Sequence, residues 1–181
     1  MKVLLFLMFG VFAFAQNSAR DTLMLNGSQP ATILKINQHK VTVLKKSPSE
    51  SPYTLQKDGS FVFNGNPKVT ISVSKSKKGS PRQYLEHIFQ TTELENGESK
   101  SVAPREEYPF YTRMSKKGNL LIFDTLYAMK DELLAVQCTF STQSPKDEYK
   151  LSQDISDFLW NSILISENFY AKELKQEPGK K

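Results

Sequence analysis

Three extended runs crowded between residues 108 and 142 constrain the fold more than any other feature of this chain. They are Tyr108 to Met114, Leu120 to Met129 and Leu133 to Thr142, separated only by Ser115-Lys116-Lys117-Gly118-Asn119 and Lys130-Asp131-Glu132. A crossover between parallel neighbours needs a dozen or more residues, so connections this short predict an antiparallel meander. In the middle run Leu120, Ile122, Leu126 and Ala128 share one parity, and Leu121, Phe123, Tyr127 and Met129 share the other. Apolar residues on both faces predict a central strand covered from both sides.

The segments before the meander are also extended. Residues 16 to 30 are polar apart from Leu23-Met24-Leu25 and predict an amino-terminal arm or a short edge strand. From Ala31 to Lys45 the β-branched residues predict a hairpin turning at Asn37-Gln38-His39-Lys40. Ser47-Pro48-Ser49-Glu50-Ser51-Pro52 reads as a surface loop. The Asp-Gly pair within Lys57-Asp58-Gly59-Ser60 predicts a second hairpin. Val69, Ile71 and Val73 alternate with Thr70, Ser72 and Ser74 as on a half-buried strand.

Two helices are signalled by their starts. Ser80-Pro81-Arg82-Gln83 offers a capping hydroxyl, a proline at the first helical position and a glutamine three residues after the cap. Tyr84, Leu85, Ile88, Phe89 and Thr92 then form one face, and the helix ends before Asn96-Gly97. The polar stretch Glu95 to Glu107 reads as a loop. Ser144-Pro145-Lys146-Asp147 repeats the start signal, with Asp147 and Glu148 suited to the positive end of the helix dipole. Leu151, Ile155, Phe158, Leu159 and Ile163 recur at helical spacing after it. Residues 166 to 175 continue or restart this helix, and Gln176 to Lys181 form a polar tail.

At the amino terminus Lys2, the apolar stretch Val3 to Phe14 and Ala13-Phe14-Ala15 before Gln16 make the three-part pattern of a cleavable secretory signal. The apolar stretch is well short of the roughly twenty residues that span a bilayer, so no integral membrane span is expected. Residues 1–15 are therefore expected to be removed, leaving a periplasmic or secreted chain of 166 residues. That length suits a single domain, 31–165, with one packed core. Without Lys2 the 24 Lys and Arg become 23 against 19 Asp and Glu, a net charge of +4. Cys138 is the only cysteine, which rules out an intramolecular disulfide. It shares parity with Leu134, Val136 and Phe140, and that places it in the core as a small hydrophobe.

The order strands, helix, three-strand meander, helix predicts an α+β domain, a mainly antiparallel sheet with helices packed on its faces. With Ser80-Pro81-Arg82-Gln83-Tyr84-Leu85 opening the first helix, the run Leu133 to Phe140 and the closing helix Ser144 to Ile163, it resembles the Mog1/PsbP-like family. The resemblance covers most of residues 31 to 165 and implies an α/β/α sandwich, with an accessory or partner-binding role more often than a catalytic one.

Few residues are available for chemistry. His39, His87 and Cys138 supply too little histidine and cysteine for a zinc site, no phosphate loop or hydrolase motif is present, and no cofactor or metal is expected. His87 falls on the polar side of the first helix beside Glu86, and His39 falls in a turn, which predicts solvated rings. Asp124 shares parity with Leu120, Ile122, Leu126 and Ala128, and a carboxylate on such a face is a site residue, a member of a structural ion pair or a residue at the rim of the core. Lys75, Lys77 and Lys78 together with Arg113, Lys116 and Lys117 would make an anion-binding patch if folding gathered them, and are otherwise solvated charges. No nucleic-acid partner is expected of an exported chain. Tyr108-Pro109-Phe110-Tyr111 suits either the core or a contact surface, and Tyr108, Phe110, Tyr111, Arg113, Lys116 and Lys117 are the candidate partner surface. The expected function is a non-catalytic accessory protein that binds another envelope or secreted protein. The alternatives are an immunity protein against a toxin, and a small hydrolase using Asp124, His87 or Cys138.

Overall fold

The computed structural model describes residues 17–25, 29–37, 39–45, 53–77, 79–103, 108–142 and 145–165. The predicted secretory signal, the predicted Ser47 to Pro52 loop, Ser144 and the predicted carboxy-terminal extension and tail lie outside the described residues. Nothing described is a helix long and apolar enough to cross a membrane.

The meander forms as its short connections require. Strands β8 (Phe110–Lys117), β9 (Leu120–Ala128) and β10 (Glu132–Ser141) pair antiparallel in chain order. The first turn is tighter than expected, because pairing runs on to Lys117 and only Gly118 and Asn119 remain between the strands. Gly118 sits at φ +58°, which a residue without Cβ adopts at no steric cost.

Strands β4 (Thr54–Leu55), β5 (Phe61–Asn64) and β6 (Lys68–Lys75) form a second antiparallel run, and β6 pairs with β10 so that Ile71 faces Val136. The Asp-Gly turn between β4 and β5 is built as predicted. Gly59 takes φ +83°, and the Asp58 carboxylate accepts bonds from the Ser60 amide and hydroxyl, which hold its pKa below the ordinary value. Strand β7 (Ser99–Ala103) adds to β8 and completes a seven-stranded sheet of order β4-β5-β6-β10-β9-β8-β7.

A second sheet contains β1 (Ser18–Leu25), β2 (Gln29–Ile36), β3 (His39–Leu44) and β11 (Ile163–Ile165), in that order. Leu34, Ile36, Val41, Val43, Ile163 and Ile165 lie in one continuous core with Phe61, Ile71, Val136 and Phe140 of the large sheet. Asn17 ties the two sheets' turns together: its carboxamide accepts from the Asn37 amide at 2.8 Å and donates to the Gly59 carbonyl at 3.0 Å.

Helix α1 (Pro81–Thr91) carries the predicted capping box between Ser80 and Gln83. Leu85 packs with Tyr111, Ala128 and Leu133 on the outer face of the large sheet. Helix α2 (Pro145–Asp157) packs on the inner face, where Ile155 joins the main core. The observed class is therefore α+β, mostly antiparallel sheet with two helices. Two expectations are corrected here. Helix α2 does not run through Ile163: it widens into a π-helical turn at Phe158–Ser162, and Ile163–Ile165 then pairs with β3, where the β-branched Ile163 and Ile165 are buried. Strand β9 is covered on both faces only toward its end, since α1 shields Ala128 while Leu120 stays exposed.

Candidate binding groove

The described residues do not cover the inner face of the large sheet out to its edge. Alternation turns Ser99, Ser101 and Ala103 of β7 inward beside Phe110, Thr112 and Met114 of β8, with Phe123 of β9 behind them. On the other side Ile155 and Leu159 hold the closing helix to the core. This turns Ser152, Ser156, Asp157 and Trp160 toward the same space. The result is a groove of about 470 Å³ with an apolar floor and hydroxyl-bearing walls. Pockets of this size, mostly apolar with a few polar groups, hold small ligands or side chains.

The π turn sets the position of Trp160. Leu159 is among the last four residues of the helix, whose carbonyls have no intrahelical partner. Its carbonyl accepts a 2.6 Å bond from the fully buried Tyr127 hydroxyl. Trp160, one residue on, keeps 44% of its surface exposed. Its ring stands edge-on to Phe110, with centroids 5.6 Å apart, and Phe110 tilts against Tyr127 at 4.9 Å. An aromatic row thus leads from the solvent to the core. Beneath it the Thr112 and Thr125 hydroxyls bond each other at 2.9 Å, so these two buried polar groups are satisfied.

The predicted partner surface is not gathered on one face of the sheet. Phe110 and Tyr111 are both buried, on opposite faces: Phe110 lines the groove and Tyr111 lies under α1. Tyr108 is half-buried against the core. The Arg113 guanidinium bonds Glu98, which holds its own pKa up. The Glu98 carboxylate is kept low first by the Glu95 backbone amide and then by Arg113. Lys116 pairs with Glu148 and joins the end of β8 to the start of α2, lowering the Glu148 pKa. Lys117 is exposed. The anion patch does not form either, because Lys75 pairs with the start of β10 and Lys117 with the start of β9, at opposite ends of the sheet. Lys78 lies outside the described residues.

The candidate chemical residues are dispersed as well. His87 is exposed on α1, as its helical position predicts. Asp124 is exposed, not buried, and accepts a 2.7 Å bond from Gln137 on the part of the outer face that α1 leaves open. Cys138 is fully buried, and desolvation pushes its thiol up to about 12, with the Asp124 charge adding to the effect. His39 departs from expectation. It begins β3, faces inward with Val41 and Val43, and its Nε2 lies 2.6 Å from Glu132 Oε2 across the two sheets. That shared parity was the signal a turn assignment obscures. Among the described residues no group of three or more His, Cys, Asp or Glu side chains is placed to hold a metal ion. Comparison with known proteins finds no matching family model and no similar curated protein.

Proposed function

We propose that this protein is an exported, non-catalytic binding module, and that an extended segment of a partner protein docks in the groove between β7 and the closing helix. The observation that carries this reading is Trp160: a large aromatic side chain held half in solvent, backed by Phe110, over an apolar cleft beside an edge strand. Tryptophan anchors of this kind concentrate binding energy at protein interfaces. Strand β7 ends the sheet order, so its outer backbone edge suits strand addition by a peptide. The dispersal of His87, Asp124 and Cys138 supports a role other than catalysis. The α/β/α affinity with Mog1/PsbP-like sandwiches belongs to the same proposal, supported by α1 and α2 on opposite faces of the large sheet.

The test is a binding or phenotypic assay on four folded variants, with thermal melting as the folding check. Trp160→Ala and Ser101→Pro, which blunts the β7 edge, are expected to abolish capture of the partner. His87→Ala and Asp124→Asn are expected to leave it intact. A folded Asp124→Asn or His87→Ala chain that still captures its partner yet has lost function would defeat the proposal and favour an enzyme.

A further inference from the structure

We infer that the groove selects a partner segment by a lysine or arginine side chain, whose aliphatic stem lies on the aromatic floor and whose charged end meets Asp157. The inference rests on the docking reading above and adds the specificity of that site. Among the described lining residues Asp157 alone carries a formal charge, and it is negative, in a chain of net charge +5. Asp157 is exposed, so the carboxylate is available to a ligand. The closing helix ends at this same wall, with no basic residue in the last turn of either α2 or the π turn. Within those turns no cation offsets the negative end of the helix dipole, which favours a positive charge beside it. Phe110, Phe123 and Trp160 complete the chemistry. Aromatic faces attract cations, and long basic side chains lay their methylenes along apolar surface while the charge stays wet. A carboxylate-ended ligand would meet Asp157 and the helix end with the wrong sign, and a purely apolar one would leave both unused.

Trp160 is the only tryptophan in the chain, so intrinsic fluorescence reports on this groove alone. The probes are two acetylated, amidated pentapeptides, Thr-Val-Lys-Val-Thr and the same peptide with norleucine in place of lysine. They are titrated against the full mature chain and its Asp157→Asn variant, after thermal melting has shown that both fold. The lysine peptide is expected to bind the wild type about fivefold more tightly than the norleucine peptide, the upper range for one exposed ion pair. Asp157→Asn is expected to erase that preference and to leave norleucine binding unchanged, and added salt is expected to weaken the preference in the wild type. Non-specific attraction cannot imitate this result, because a cationic protein repels a cationic peptide. Equal affinities in the wild type, or a lysine preference that survives Asp157→Asn, would overturn the inference while leaving groove docking in place. Absence of any fluorescence change with either peptide would overturn both.

Discussion

Removing one oxygen atom from each of two buried tyrosines should have opposite effects. The Tyr127 hydroxyl donates to the Leu159 carbonyl at 2.6 Å inside the core. In Tyr127→Phe that carbonyl, at a helix end without intrahelical partners, loses its donor where water does not reach it. Leaving a buried acceptor unsatisfied costs about 1–3 kcal/mol, so a loss near 2 kcal/mol is expected. For a domain of this size each kcal/mol moves the melting temperature by roughly 2–4 °C, which gives a fall of about 4–8 °C. The Tyr111 hydroxyl is also buried, under α1, but has no hydrogen-bond partner among the described residues. Tyr111→Phe removes a desolvated polar group that gains nothing in the fold, so it should be neutral or stabilising by up to about 1 kcal/mol. Urea unfolding followed by far-UV circular dichroism measures both, with an unchanged m-value showing that the unfolded state is not the cause. Trp160 fluorescence adds a local readout, since Tyr127→Phe loosens the turn that carries Trp160 and Tyr111→Phe does not. A Tyr127→Phe chain within about 0.5 kcal/mol of wild type, or a Tyr111→Phe chain equally damaged, would refute the reasoning.

Cys138 should react slowly with a thiol reagent in the native protein and quickly in denaturant; equal rates would mean an exposed thiol. Because the folded state holds this thiol protonated, with its pKa raised from the ordinary 9.0 to about 12, its contribution to stability is complete below pH 9 and is lost as pH rises toward 12. A Cys138→Ala variant should accordingly lose stability less steeply than wild type across that window. His39→Leu should cost about 2–3 kcal/mol by stranding the Glu132 carboxylate, and Glu132→Leu in the same background should recover part of it; purely additive losses would show that the pair is not coupled. Intact-mass analysis of exported protein should begin at Gln16, and retention of Met1 would contradict the secretory reading.

Strand pairing was legible in this sequence wherever apolar alternation met a turn residue, as in the meander, β6 and the Asp-Gly hairpin. The capping box at Ser80 likewise announced α1, because its mechanism is local. What escaped has the opposite character. Strand β7 reads Ser-Lys-Ser-Val-Ala and has no apolar stripe, since its inward side lines an open groove instead of the core. Strand β11 hides inside a helical periodicity: Ile163 is in step with Leu159, and only pairing with β3 makes it a strand. Asp124 had the right parity but the wrong depth, because how far along the sheet α1 reaches is a tertiary matter. Tyr108-Pro109-Phe110-Tyr111 looked like one patch, and strand alternation divides it between two faces. The groove itself had no sequence signature, being formed by a strand and a helix some fifty residues apart.

The four-stranded sheet joins the beginning of the described chain to its end. Ile163 lies opposite Val43, so this sheet cannot close until almost the whole described chain is present. Up to that point β3 has an unpaired edge, and a chain segment of about 120 residues must be brought round to cover it, a slow non-local step. If the chain is exported as proposed, this connectivity works as a clock. Until the final strand arrives, β3 has no partner for its outer edge and the four-stranded sheet lacks its last member. The cost is a transient exposed edge of the kind that invites pairing between chains. Loss of Ile163–Ile165 would make that edge permanent.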